Sequence, residues 1–212
     1  KSENKEKKWV NGNIQISNLS FSYGKKVILK NLNLYIKCES KVFVSGPSGS
    51  GKSTLFKILK GYYNYGGSVK IGNFEVLGNE ISSISYVSQG EKLFTGTIND
   101  NLNVKGDNIF KNNICYLDDI LFKNKIIEED GFNLSGGQKQ RIVLARALEN
   151  FEILVIDEGL SQVSVDLERK ILNKFNDKTI IYISHRLDNL DLFDQFVFIK
   201  KGRVVRSEVR NN

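Results

Sequence analysis

The residues best placed to do chemistry are 46-GPSGSGKST-54, which satisfy the spacing G-x-x-x-x-G-K-[ST]. Glycines at this spacing let successive backbone N–H groups turn toward one anion, and a helix that starts here adds the positive end of its dipole. Gly46, Ser48, Gly49, Ser50, Gly51, Lys52, Ser53 and Thr54 are therefore the expected contacts to the phosphates of a nucleotide. Lys52 would reach the β- and γ-phosphates, and the Ser53 hydroxyl would ligate Mg²⁺. Pro47, the only proline of the chain, lies inside this loop.

A second constellation is 153-ILVIDE-158, in which four apolar residues suited to a buried strand run into two carboxylates at its exposed end. Asp157 is suited to hold Mg²⁺ through water, and Glu158 to take a proton from an attacking water. A strand ending in two acids means little alone. Beside a phosphate loop it reads as the other half of a nucleotide-hydrolysing site.

The third signal, 134-LSGGQKQR-141, is the most specific, and with it the chain resembles the ABC ATPases. Leu134-Ser135-Gly136-Gly137-Gln138 reproduces that family's signature in full, and the resemblance runs in order over nearly all of the chain from about Ile14. It implies that Tyr23 stacks on adenine. It also implies that Gln89, in 86-YVSQ-89, coordinates Mg²⁺ and orients water, and that His185, in 183-ISHR-186, donates to the γ-phosphate. The catalytic set it implies is Glu158, His185, Lys52 and Gln89, with Ser53, Gln89 and Asp157 at the metal. The family geometry further implies a head-to-tail pairing with a second ATP-binding domain. Each ATP would lie between one phosphate loop and Ser135, Gly136, Gly137 and Gln138 of the opposite copy.

Export is implied by 93-LFTGTINDNL-102, similar to the L-F-x-G-T-I-x-x-N stretch of exporter domains, and by Glu129, which resembles the acid that exporters set against membrane-domain loops. The wording of 133-NLSGGQKQRIVLARAL-148 is similar to that of peptide and bacteriocin exporters. The resemblance thus implies an ATPase at the cytoplasmic face of the cell membrane that drives a transmembrane domain, expected in the same polypeptide. In two places the chain departs from the family. Ser164 stands where an Asp is usual six residues after Glu158, and the segment between Gln89 and Leu134 is short.

The elements that must position these groups follow from hydrophobic periodicity. Segments 14–23 and 27–37 alternate apolar and polar residues around Gly24, as an antiparallel pair would. Short apolar strands are expected at 41–45, 68–72, 84–88, 152–157 and 179–184, with helices at 53–61 and 166–175 and a last hairpin turning at Gly202. Between about 97 and 150 the three- to four-residue spacing of Ile98, Leu102, Phe110, Ile114, Leu117 and Leu121 suggests helices. The expected fold class is therefore α/β: a RecA-like P-loop NTPase core with an antiparallel β subdomain and a helical subdomain at about 95–150. The charge-alternating 1-KSENKEKK-8 reads as part of a linker over 1–12, from a missing upstream transmembrane region, with the ATP-binding domain at 13–212. The lack of any Met, with Lys1 as first residue, suggests a piece of something longer.

Bulk properties narrow the field. No apolar run nears the roughly 18 residues that cross a bilayer. The 31 basic and 24 acidic residues give +7, but no cluster of Arg with interleaved aromatics suggests a nucleic-acid partner. Cys38 and Cys115 have neither metal nor redox spacing and read as reduced. The alternative is the ATPase head of an SMC or DNA-repair ABC protein. Such chains insert a long coiled coil between Gln89 and the signature, whereas here 44 residues intervene without sustained heptads.

Overall fold

The computed structural model describes residues 6–88, 90–102, 113–121 and 126–210. Gln89 and Phe110 lie outside them. Along the chain, β1 (Glu6–Lys8), β2 (Ile14–Tyr23), β3 (Lys26–Ile36) and β4 (Lys41–Ser45) precede α1 (Lys52–Leu59). Next come β5 (Gly66–Ile71), β6 (Phe74–Glu75), β7 (Asn79–Ile81) and β8 (Ile84–Ser88). Short helices α2 (Ile98–Asn101) and α3 (Asp118–Leu121), a 3-10 turn at Glu129–Gly131 and the longer α4 (Gly136–Ala147) follow. β9 (Ile153–Asp157), α5 (Val165–Leu172), β10 (Thr179–Ile183), a 3-10 turn at Leu190–Leu192, β11 (Gln195–Lys200) and β12 (Arg203–Val209) complete the order.

One sheet has the order β12-β11-β4-β10-β9-β8. Its five strands from β11 to β8 are parallel, and β12 folds back antiparallel on the edge. The central strands β4, β9 and β10 are near-continuous apolar runs because both faces of the sheet are covered. Their side chains alternate between two cores, as a period of two requires. Val42, Val44, Val155 and Ile183 face α1 and the antiparallel sheet, whereas Phe43, Leu154, Ile156 and Tyr182 face the side of α4 and α5. That second sheet, β3-β2-β5-β6, buries one face only, so β2 and β3 carry the alternation seen in the sequence.

The expected α/β core with its antiparallel sheet is what forms. Two details differ from the sequence reading. Between 97 and 150 the apolar spacing is realised in short pieces around Ile98, Leu102, Ile114 and Leu117, all buried, before α4 supplies one longer helix. Within the stretch 1–12 read as a linker, β1 pairs in parallel with β7, and the Ser82 and Ser83 hydroxyls donate to the Lys8 and Val10 carbonyls. Backbone pairing needs no apolar pattern, so charge alternation hid this strand.

Candidate functional site

The phosphate loop leaves the carboxyl end of β4. A Cβ on Gly46 would lie 2.0 Å from the Ile199 carbonyl of β11, so only glycine lets the loop start so close to the neighbouring strand. The turn closes with Ser50 N–H donating to the Pro47 carbonyl, and α1 begins after Gly51 in the left-handed region at φ 103°. The N–H groups of Lys52, Ser53 and Thr54, in the first helical turn, have no intrahelical acceptor and are available to an anion. Lys52 Nζ bends back to donate to the carbonyls of Gly46 at 2.7 Å and Pro47 at 3.1 Å. Burial lowers the Lys52 pKa, and the carboxylates of Asp157 and Glu158 oppose that shift.

Strand register does the rest. In the sheet, Ile183 of β10 is paired with Val44 of β4 on one side and Asp157 of β9 on the other. The loops after three adjacent parallel strands thus open on one edge, the usual place for a ligand in such sheets. Lys26, Ile28, residues 48–54, Asp157, Glu158 and His185 line one cavity there of about 300 Å³. His185 Nε2 lies 3.2 Å from Glu158 Oε1. Glu158 itself sits in the left-handed region, at φ 54°, with its N–H donated to the Ile183 carbonyl at 2.9 Å. A non-glycine residue held at that φ stores strain of order 1–3 kcal/mol.

The donors fit a metal-bound polyphosphate. Among the described residues, Ser50 Oγ is buried without a hydrogen-bond partner, a polar atom that a phosphate oxygen would satisfy. The Ser53 hydroxyl and the Asp157 carboxylate are hard oxygen donors of the kind Mg²⁺ takes. The described residues hold no group of three or more His, Cys, Asp or Glu set to bind a metal, so phosphates would have to complete the shell.

The signature residues stand apart from this cavity. Ser135 is the exposed N-cap of α4, in a capping box: the Gln138 N–H donates to Ser135 Oγ, and the Ser135 N–H donates to Gln138 Oε1. Gln138 Nε2 donates in turn to Asp119 Oδ2 at 3.2 Å, so this side chain is occupied in closing the helix start. Arg141 makes a two-pronged pair with Asp119, at 2.9 and 2.8 Å, and its guanidinium draws the Asp119 carboxyl below the usual range. Gly136 lines a different cavity of about 310 Å³, with Glu91, Gln140 and Gln162, that shares no residue with the first. Tyr23 likewise lies outside the phosphate-loop lining. It ends β2 beside Lys26, exposed, with its ring edge-on to Phe21 and Tyr63.

Several contacts around the site went unread in the sequence, although Ser164 and Asn101 lie in stretches singled out there. Arg186 donates to the Val163 carbonyl at 2.7 Å and pairs with the buried Glu168 at 3.3 Å, tying the loop after Glu158 to the one that carries His185. Gln140 holds the same loop from α4 through Ser161 Oγ and the Gln162 N–H. Ser164 caps the start of α5 without any side-chain bond, so the usual Asp has no replacement in kind. Tyr86 donates to Asp157 Oδ2 at 2.5 Å; burial, reinforced by that carboxylate, pushes its pKa up. Its alternation within β8 was legible, but which neighbouring strand it would face was not. Asn101, buried in the stretch 93–102, clamps the Phe94 backbone through both N–H and carbonyl and receives Arg146.

Comparison with known proteins gives the chain a family. A lactococcin-G-processing and transport ATP-binding protein, LagD, of Lactococcus lactis subsp. lactis is 37% identical over 92% of this chain and 31% of its own. A putative export ATP-binding/permease protein of Rickettsia bellii is 36% identical, over 90% of this chain and 37% of its own. An ATP-dependent lipid A-core flippase of Photobacterium profundum is 30% identical over 92% and 38%. The chain therefore spans about a third of the length of the curated relatives it matches. A solved structure of a bacterial Atm1-family ABC exporter with ATP bound superposes at a TM-score of 0.87 and 27% identity, over 97% of this chain and 40% of that one. The ABC transporter family profile matches residues 29–161, which include the phosphate loop, the signature, Asp157 and Glu158, and the chain belongs to that family.

Proposed function

We propose that this chain binds ATP with Mg²⁺ and hydrolyses it, and that hydrolysis powers export through a membrane-spanning partner. The observation that carries the reading is one cavity in which Lys52 and Ser53 face Asp157, Glu158 and His185, with the Glu158 carboxylate 3.2 Å from His185. Lys52, the loop N–H groups and Ser50 bind the phosphates; Tyr23 takes the adenine face. Ser53 and Asp157 hold the cation, with Gln89 as the third group drawn from sequence. When bound, Mg²⁺ would neutralise charge on the phosphate oxygens. Glu158 takes the proton of the attacking water, and a His185 ring N–H donates to the γ-phosphate oxygen.

A second copy, head to tail, supplies Ser135 and the Gly137 N–H to the far side of each ATP. The exposure of Ser135, and its place outside the lining of its own phosphate-loop cavity, support this. The membrane-spanning partner, expected in the same polypeptide with this chain at its cytoplasmic face, is inferred from the relatives' names and their greater length. No observation favours the DNA-repair reading. Steady-state ATPase assays of the chain and its Glu158→Gln and His185→Ala variants test the proposal. Loss of turnover with retained nucleotide binding supports it, and parental turnover in both variants overturns it.

A further inference from the structure

Between the phosphate loop and the acidic end of β9 stands Tyr86, a side chain to which the mechanism above gives no task. β8 is an edge strand of the parallel sheet, and its register sets Tyr86 opposite Val155 and Ser88 opposite Asp157. From there the phenol reaches Asp157 Oδ2 at 2.5 Å. The direction of that bond follows from the inventory of protons. A phenol has one, and a carboxylate only accepts, so the Tyr86 proton goes to Asp157.

This bond has a consequence for a cation. A carboxylate offers a hard cation, or a water on it, the lone pairs of two oxygens, and a donor on one of them fixes which way the other faces. The same phenol occupies one oxygen of Asp157 and leaves the other for a metal-bound water. Partners that orient first ligands in this way commonly govern metal affinity.

We propose that Tyr86 is a positioning residue for the divalent cation, fixing the carboxylate of Asp157 before the metal–nucleotide arrives. The inference rests on the Mg²⁺–ATP reading of the site. It is specific to the hydroxyl: a phenylalanine keeps the ring and its packing but breaks the bond to Asp157.

The test is equilibrium binding of a fluorescent N-methylanthraniloyl ATP to the chain, titrated with Mg²⁺ and repeated in EDTA. In Tyr86→Phe the Mg²⁺ concentration for half-maximal tightening should rise about tenfold, as loss of an outer-shell partner does. Affinity in EDTA and the melting temperature without nucleotide should stay at parental values. Tyr86→Met, an adaptable side chain without a hydroxyl, serves as the second variant if Phe is not tolerated. An unchanged Mg²⁺ midpoint overturns the inference, and so does equal weakening with and without Mg²⁺, which would mark a packing role. If the parental chain itself binds the nucleotide with no response to Mg²⁺, the reading of the site falls first and this inference with it.

Discussion

Lys52, Asp157, Glu158 and His185 come from the ends of three neighbouring parallel strands and meet over one cavity, whereas Ser135 to Gln138 open a helix that lines another. The first region is positioned by sheet register. Ile183 is paired with both Val44 and Asp157, and a slip by one residue would turn every side chain of a strand to the other face. The second is positioned by tethers, chiefly Arg141 and Gln138 on Asp119 and Gln140 on the 161–162 loop. The groups proposed to do chemistry, which tolerates little displacement, thus sit on the sheet, and those proposed to meet another copy sit on a helix held by side chains.

The largest effect expected from this division is at Glu158. Glu158→Gln should slow hydrolysis by about 10²–10⁴-fold with nucleotide still bound, since it removes only the proposed general base. Lys52→Ala should instead weaken nucleotide binding, because it withdraws a cation from the phosphates. Single-turnover hydrolysis with filter binding separates the two. Parental turnover in Glu158→Gln would mean that the strand-borne region is not where the chemistry resides.

How much of this was legible in sequence follows the same division. The phosphate loop, Asp157 and Glu158 are local patterns in which chain neighbours become spatial neighbours, so spacing alone located them. The helix start at Ser135 was equally visible, since its capping box is a four-residue pattern. Contacts between distant segments left no trace: Arg186 on the 160–163 carbonyls and Tyr86 on Asp157 depend on strand order, which one-dimensional periodicity does not contain. Strand β1 was missed because its pairing is carried by backbone alone. His185 and Tyr23 were named only through family resemblance, since a lone histidine or tyrosine carries no spacing of its own.

The next effect tests whether the two regions cooperate across copies. Lys52→Ala and Ser135→Arg should each be nearly inactive. Mixed in equal amounts, they should recover roughly a quarter of parental activity, because half of the dimers are mixed and each has one intact composite site. Specific activity should also rise with protein concentration, as mass action requires. Activity constant per molecule down to nanomolar protein, with no recovery on mixing, would place both halves of the site within one copy.

Stability should show the contrast on a smaller scale. A Cβ on Gly137 would lie 2.8 Å from the Gln162 carbonyl, so Gly137→Ala must push the 161–163 backbone and should cost about 1–3 kcal/mol. Gly49 has nothing within 4 Å of its Cβ direction, and Gly49→Ala meets only the strain of φ 74°, about 1 kcal/mol. Urea unfolding of both variants checks the order. A costlier Gly49→Ala would mean that the phosphate loop, rather than the seat of the signature, is the tighter packing.

The smallest effect concerns the base of the nucleotide. Tyr23 is exposed at the end of β2, steadied edge-on by Phe21 at 4.8 Å and Tyr63 at 5.5 Å between ring centres, which leaves an aromatic face open. Stacking uses the π-face that every purine presents and does not read its hydrogen-bonding edge. Among the described residues, the cavity lining adds only Lys26 and Ile28 on the side of Tyr23, neither of which distinguishes an amino from a keto group by geometry alone. GTP should therefore be hydrolysed within about tenfold of ATP, a difference of about 1.4 kcal/mol or less. Tyr23→Phe should change that ratio little, because it keeps the stacking ring. Competition between the two nucleotides under steady-state hydrolysis measures the ratio directly. A preference for ATP above roughly a thousandfold, about 4 kcal/mol, would require a buried polar reader of adenine. Selectivity for the base would then belong to a third region, distinct from both the strand ends and the signature helix.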